Sequence, residues 1–151
     1  MLVGICTYKR PAMLSNLLAV CFKLEPPPGQ TLALLIVDND PECTAKAAVE
    51  TARQVSPVPI HYHAEPQRGI SNARNRVLQE ALSLNASCLA LIDDDEIMKP
   101  DWLIQLYGVM CEAGADAVGG PSYWDLPPDA PAWQHALPTS PRYEARRKNK
   151  R

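Results

Sequence analysis

The chain has 151 residues and a mass of 16.6 kDa, a length that suits one domain with a real hydrophobic core. Apolar residues make up 46% and charged residues 21%, a balance that excludes a disordered or fibrous protein. Removing the six basic residues and one acid of residues 142–151 from 15 basic and 17 acidic leaves nine against 16, so the body is acidic and argues against a nucleic-acid partner, which needs clustered Lys and Arg.

The longest apolar runs, 32–37 and 88–92, fall far below the roughly 20 residues of a bilayer span. No basic region precedes the short apolar start, so no signal peptide is expected and a cytoplasmic location is. Five widely spaced cysteines without a Cys-x-x-Cys pair read as reduced thiols rather than disulfides or a zinc site.

In chain order, residues 2–6 form the first apolar strand. Pro11 opens a helix whose Leu14, Leu17, Leu18, Cys21 and Leu24 share one face before Pro26, Pro27 and Pro28 stop it. A second strand covers 32–37, a second helix 44–55 and a third strand 60–64. Ser71 is the expected N-cap of a third helix with Ala73, Val77, Leu78, Ala81 and Leu82 turned inward. A fourth strand covers 88–92, and Pro100 starts a fourth helix with Asp101 at its positive end and Trp102, Leu103 and Leu106 facing the core. A fifth strand covers 115–118. Beyond it, Gly119, Gly120 and six prolines between 121 and 141 predict an extended segment over 122–141, and 142–151 a disordered basic tail. The core is therefore expected over 1–121.

Such alternation predicts an α/β fold, a mainly parallel sheet with helices on both faces. Ligands of these sheets bind beyond the carboxyl ends of the strands. Four polar clusters stand there: Thr7-Tyr8-Lys9-Arg10, Asp38-Asn39-Asp40, residues 65–69, and Asp93-Asp94-Asp95-Glu96. Consecutive acids repel and resist desolvation. In an extended segment Asp93 and Asp95 face the same way and Asp94 the other. Carboxylates suit Mg²⁺ or Mn²⁺, which take few protein ligands and leave places for substrate phosphates. The plainer alternative is a solvated acidic turn; its position beside three other polar loops favours a site.

Val3-Gly4-Ile5-Cys6-Thr7-Tyr8-Lys9-Arg10-Pro11 resembles the opening of family 2 glycosyltransferases of the GT-A, Rossmann-like fold. Leu35-Ile36-Val37-Asp38-Asn39-Asp40 is similar to their second-strand acidic turn, and Arg68-Gly69-Ile70-Ser71-Asn72-Ala73-Arg74-Asn75 to their Gly-x-x-x-Ala-Arg-Asn segment. Asp93-Asp94-Asp95 matches their DXD motif, and Pro100-Asp101-Trp102-Leu103 the helix after it. The resemblance covers about residues 2–121. It implies a metal-dependent, inverting transferase that moves a sugar from a nucleoside-diphosphate sugar, UDP-sugar favoured, to a hydroxyl of a glycan or lipid-linked acceptor in polysaccharide or cell-envelope assembly.

On that resemblance Thr7 and Tyr8 contact base and ribose, Asp38 or Asn39 the base, and Arg68 or Arg74 the diphosphate, for which a guanidinium fork is suited. Asp94 contacts ribose or donor sugar; Asp95, supported by Asp93, holds Mn²⁺ or Mg²⁺. Family members take their general base from later in the chain, where Asp125, Asp129 and Glu144 are the remaining acids and Asp125 and Asp129 the candidates. The chain resembles a short or truncated member, with weak transfer of its own. The basic tail could graze anionic membrane at its inner face.

Rival readings are a non-catalytic nucleotide-sugar-binding remnant and a haloacid-dehalogenase-type phosphatase, whose nucleophile strand residues 34–40 imitate. A nucleotidyltransferase would need a basic Gly-rich loop that is missing. His61 and His63 share one strand face and read as polar surface rather than a metal pair. Trp124 and Trp133 could stack on a sugar or cover a sheet edge, and Cys6 reads as a packing residue.

Overall fold

The computed structural model describes residues 1–123, 126 and 128–135, with the backbone alone at 135 and at 144–146. They fall into two compact units, Met1–Leu103 and Ile104–Arg151. The first contains β1 (Leu2–Thr7), α1 (Pro11–Cys21), β2 (Ala33–Asp38), α2 (Lys46–Arg53), β3 (Ile60–Ala64), α3 (Ile70–Ser83), β4 (Leu89–Asp93) and the start of α4 (Trp102–Ala113).

The four strands form one parallel sheet in the order β3-β2-β1-β4. β1 and β2 lie in the middle and are apolar on both faces, as a doubly covered parallel sheet requires. Their alternation divides the core into two layers. Val3, Ile5, Leu34 and Ile36 pack with Leu14, Leu18, Val49 and Leu103, whereas Leu2, Leu35 and Val37 pack with Ala73, Val77 and Ala81. Thus α1, α2 and the start of α4 cover one face and α3 the other. Parallel crossovers are right-handed: two steps outward through α1 and α2 keep one face, and the return past β1 to β4 puts α3 on the opposite face. The direction of winding reverses between β1 and β4. That gap is the topological switch point.

Close approach of α3 depends on Gly4. A Cβ built there would stand 2.5 Å from Val77 Cγ1 and 3.2 Å from Leu89 Cδ1 and Leu91 Cδ2. Glycine in a strand often marks such an approach, and here it allows a fully buried valine to sit directly on the central strand.

The expected elements are present with shifted edges, and several details differ. Ser71 is not the cap of α3; the helix begins one residue earlier behind Gly69, whose φ of 142° suits glycine, and no side chain caps it. Leu78 and Leu82, expected inward, are 48% and 78% exposed, because α3 meets the sheet along the narrow stripe Ala73, Val77, Ala81. Trp102, not Pro100, starts α4. All five cysteines are free, but only Cys21 is buried.

In the second unit β5 (Ala117–Gly119) pairs antiparallel with β6 (Glu144–Arg146), in the register Ala117↔Arg146. β6 lies within the basic stretch 142–151, which was expected from sequence to be disordered. The short helix α5 (Ala132–His135) interrupts the segment expected to be extended. Among the described residues no helix is long and apolar enough to cross a membrane.

Gly4→Ala should lower stability by about 1–3 kcal/mol, the usual cost of overpacking. Val77→Ala in the same chain should recover part of that loss by making room. Thermal unfolding of the two variants checks this, and an unchanged melting temperature for Gly4→Ala would show that α3 yields freely.

Candidate functional site

The carboxyl ends of β1 and β4 are tied by one buried carboxylate. Asp94, just past β4 and 7% exposed, accepts a 2.7 Å hydrogen bond from the Thr7 hydroxyl at the end of β1. A buried charge needs such partners. Its second oxygen accepts from Arg10 Nη1 at 3.1 Å, and the same nitrogen lies 3.1 Å from Asp95 Oδ2. Arg10 is half-exposed, immediately before α1. The Asp94 hydrogen bond, and then its charge, raise the guanidinium above its ordinary pKa, so it stays cationic.

The aspartate triplet is arranged differently from the extended-chain expectation. The strand ends at Asp93 and the chain turns, with Glu96 N–H donating to Asp93 O at 3.2 Å and Asp93 N–H to Glu96 Oε2 at 3.1 Å. Alternation stops at that turn. Asp94 and Asp95, not Asp93 and Asp95, converge on one cation, while Asp93 pairs with Arg74 Nη2 at 3.1 Å. Cys6 lies half-buried beside them, its thiol pushed up to about 11 chiefly by burial, as suits packing rather than reactivity.

The second cluster builds the rim. Asp38, fully buried, accepts from the amides of Asp40 and Ala45 and from the Tyr62 hydroxyl, each at 3.0 Å. Asn39 donates to the carbonyls of Glu65 and Gln67 at 2.8 and 2.9 Å and accepts from Gly69 N–H at 2.8 Å. Its amide therefore shapes the 65–69 loop ahead of α3. Asp40 accepts from the Thr44 hydroxyl at 2.7 Å and the Glu42 amide at 3.2 Å, and Lys9 Nζ lies 4.0 Å away. A nucleophile buried and held like Asp38 is inaccessible, which removes the structural basis of the phosphatase reading.

Tyr8 lies under Arg68, whose guanidinium carbon is 5.0 Å from the ring centroid, with Lys9 Nζ at 5.8 Å, a cation–π arrangement. Lys9 has a positive φ of 55°. The crevice thus brings together Thr7, Tyr8, Arg10, Arg68, Arg74 and the three aspartates, with Asp38 and Asn39 as its framework. Arg10 stands in the first polar cluster but had no role assigned from sequence; its signal was its place directly before the helix-opening Pro11. Of the candidate bases, Asp129 is in an exposed turn of the second unit, and Asp125, like Trp124, lies outside the described residues. His63 is 3.2 Å from Glu80, which also pairs with Arg76, consistent with polar strand-face residues.

Among the described residues no three His, Cys, Asp or Glu groups stand close enough to hold a metal. A cation site with fewer protein ligands does fit: two carboxylate oxygens, one each from Asp94 and Asp95, already share the single cationic nitrogen of Arg10. Magnesium and manganese sites that recruit phosphates need only one or two such carboxylates.

A parallel sheet with acids and guanidinium groups at its switch point defines an α/β protein with a charged cluster where such sheets bind their ligands. Residues 2–151 match the sequence model of Glycosyl transferase family 2, and the chain belongs to that family. It is 36% identical over 134 residues to the succinoglycan biosynthesis protein ExoM of Rhizobium meliloti (strain 1021), covering 89% of this chain and 42% of ExoM. The chain spans less than half of that relative. Its fold is similar to the mannosyltransferase PcManGT from Pyrobaculum calidifontis, solved with GDP-Man and Mn²⁺, with TM-score 0.64, 18% identity and 76% of this chain and 33% of that one covered. S. aureus TarS 1-349, solved also with UDP, gives TM-score 0.61, 19% identity and 78% and 33% coverage. These likenesses establish the GT-A fold.

The rim carries a pH signature. Burial alone would raise the Asp40 carboxyl, but the Thr44 hydroxyl, the Glu42 amide and the Lys9 charge outweigh it and hold the pKa below its ordinary 3.8. A carboxyl lowered by folding contributes stability that is complete above the unfolded value and lost as pH falls through the folded one. The melting-temperature difference between the native chain and Asp40→Asn should be constant above about pH 5 and shrink below about pH 3.8. A difference that persists undiminished to strong acid would refute the assignment.

Proposed function

We propose that this chain is the donor-binding part of an inverting, metal-dependent glycosyltransferase of polysaccharide or cell-envelope assembly. The donor is a nucleoside-diphosphate sugar, UDP-sugar favoured, and it lies in the crevice between the ends of β1 and β4. One observation carries this reading: Thr7, Arg10, Asp94 and Asp95, from opposite sides of the switch point, join in one charged cluster. The biosynthetic role in ExoM's name and the GDP-Man and Mn²⁺ bound to PcManGT support the substrate class.

In this reading Tyr8 stacks against the base or ribose, and Thr7 acts chiefly by holding Asp94, which faces ribose or donor sugar. Asp38 and Asn39 serve base recognition through the loop they shape. Arg68 and Arg74 neutralise the diphosphate; both are exposed, and a guanidinium fork turned from Tyr8 or Asp93 suits phosphate oxygens. Asp95 is the principal ligand of Mn²⁺ or Mg²⁺, with Asp94 beside it and Asp93 supporting through Arg74. When bound, the cation supplies Lewis-acid stabilisation of charge on the departing nucleoside diphosphate. A general base takes the proton of the acceptor hydroxyl, with Asp125 and Asp129 as its candidates. The acceptor is a glycan or lipid-linked glycan, and the basic end 142–151 favours anionic membrane at the cytoplasmic face.

Asp95→Asn should weaken Mn²⁺-dependent UDP binding about tenfold or more, since even outer groups around a metal alter affinity by that factor. Calorimetry with Mn²⁺ and with chelator measures it. Equal UDP affinity under the two conditions, or in the variant, would remove the metal from the proposal.

A further inference from the structure

Arg10 does more in this crevice than balance charge. Its Nη1 is 3.1 Å from one oxygen of Asp94 and 3.1 Å from one oxygen of Asp95. A divalent cation bridging the same two oxygens would sit about 2.0–2.1 Å from each, in place of the nitrogen that bridges them now. Guanidinium and metal cannot occupy that place together.

We propose that Arg10 competes with the divalent cation for Asp94 and Asp95, and so makes cation binding depend on the donor diphosphate; this rests on the donor reading above. Cation arriving alone must push the guanidinium into water and lose both charge-assisted hydrogen bonds. With a diphosphate present the guanidinium has new acceptors, for which its planar fork is well shaped. The exchange then costs little, and the two ligands favour each other reciprocally.

The side chain is suited to such movement. It is half-exposed, among the described residues the head makes its ion pairs only with these two acids, and it adds no side-chain cap to α1. Arg74 is placed differently: it pairs with Asp93, on the other side of the turn, and touches neither carboxylate of the pair.

The test measures Mn²⁺ binding to the 151-residue chain by calorimetry, with manganese chloride alone and then with UDP. Arg10→Gln should bind Mn²⁺ alone about two- to fivefold more tightly than the native chain, the scale of a partly exposed ion pair. With UDP present that gain should vanish or reverse. The gain should also disappear in the double variant Arg10→Gln, Asp95→Asn, which lacks the contested carboxylate. Arg10→Lys, whose compact head can serve one acid at a time, should fall between; a single cooperative thermal transition above the assay temperature confirms that each variant folds.

Mn²⁺ affinity that is no higher in Arg10→Gln, while Mn²⁺ and UDP still bind the native chain together, would overturn the competition alone. An equal gain with and without UDP would mark a general field effect and overturn it as well. Failure of the native chain to bind UDP with Mn²⁺ would overturn both this and the donor reading.

Discussion

The buried carboxylate of Asp94 is the constraint around which the crevice is organised. It lies where the winding of the sheet reverses, so no crossover helix joins β1 directly to β4, and the gap between their ends must be closed by side chains. A charged group at 7% exposure is tolerated only when its oxygens are matched by donors. Thr7 supplies one from the end of β1 and Arg10 another from the start of α1. Satisfying Asp94 therefore fixes the first loop relative to the acidic turn. Gly4, three residues upstream on the same strand, lets α3 lie close enough to seal the opposite face.

A similar logic operates at the rim. Asp38, Asn39 and Asp40 are all at most 5% exposed, and each uses its polar atoms on amides, carbonyls or hydroxyls of neighbouring segments. Polar residues buried and satisfied in this way rigidify what they touch. The 65–69 loop, which carries Arg68 over Tyr8, is held by the Asn39 amide. The strand ends thus have a frame of buried acids and amides, and a lining of half-exposed cations.

Much of this was legible in the chain itself. Apolar runs of five or six residues separated by helical spacing identified the four strands of the parallel sheet and their order along the chain, and polar residues followed each of them. Legibility failed where local periodicity met a tertiary choice. Leu78 and Leu82 satisfy a helical stripe as well as Val77 does, yet only the small residues Ala73 and Ala81 allow contact with the sheet. The period-two rule placed Asp93 with Asp95, but it holds only while the strand continues, and the strand stops at Asp93. The pairing of residues 144–146 with β5 is nonlocal, and no pattern within a basic stretch announces a partner some 25 residues away.

Arg10 was missed for a related reason. A lone arginine before a helix reads as solvated surface, and its importance comes from acids more than 80 residues later in the chain. Those acids explain why the site carries as many cations as it does. Asp93, Asp94 and Asp95 cannot stand together without compensation, and Arg74 and Arg10 provide it within the protein. On the proposed competition at Arg10, a cationic ligand would enter by exchanging with a guanidinium, not by adding to bare carboxylates, and an anionic ligand would recruit the guanidinium so released. Metal and diphosphate are in this sense complementary halves of one charge exchange. Neither alone restores the balance that the ion pairs provide, whereas both together replace each internal contact with an equivalent one. On that proposal, selectivity for the combined ligand would follow from charge balance at Asp94 and Asp95, without a dedicated cage of protein ligands for the metal.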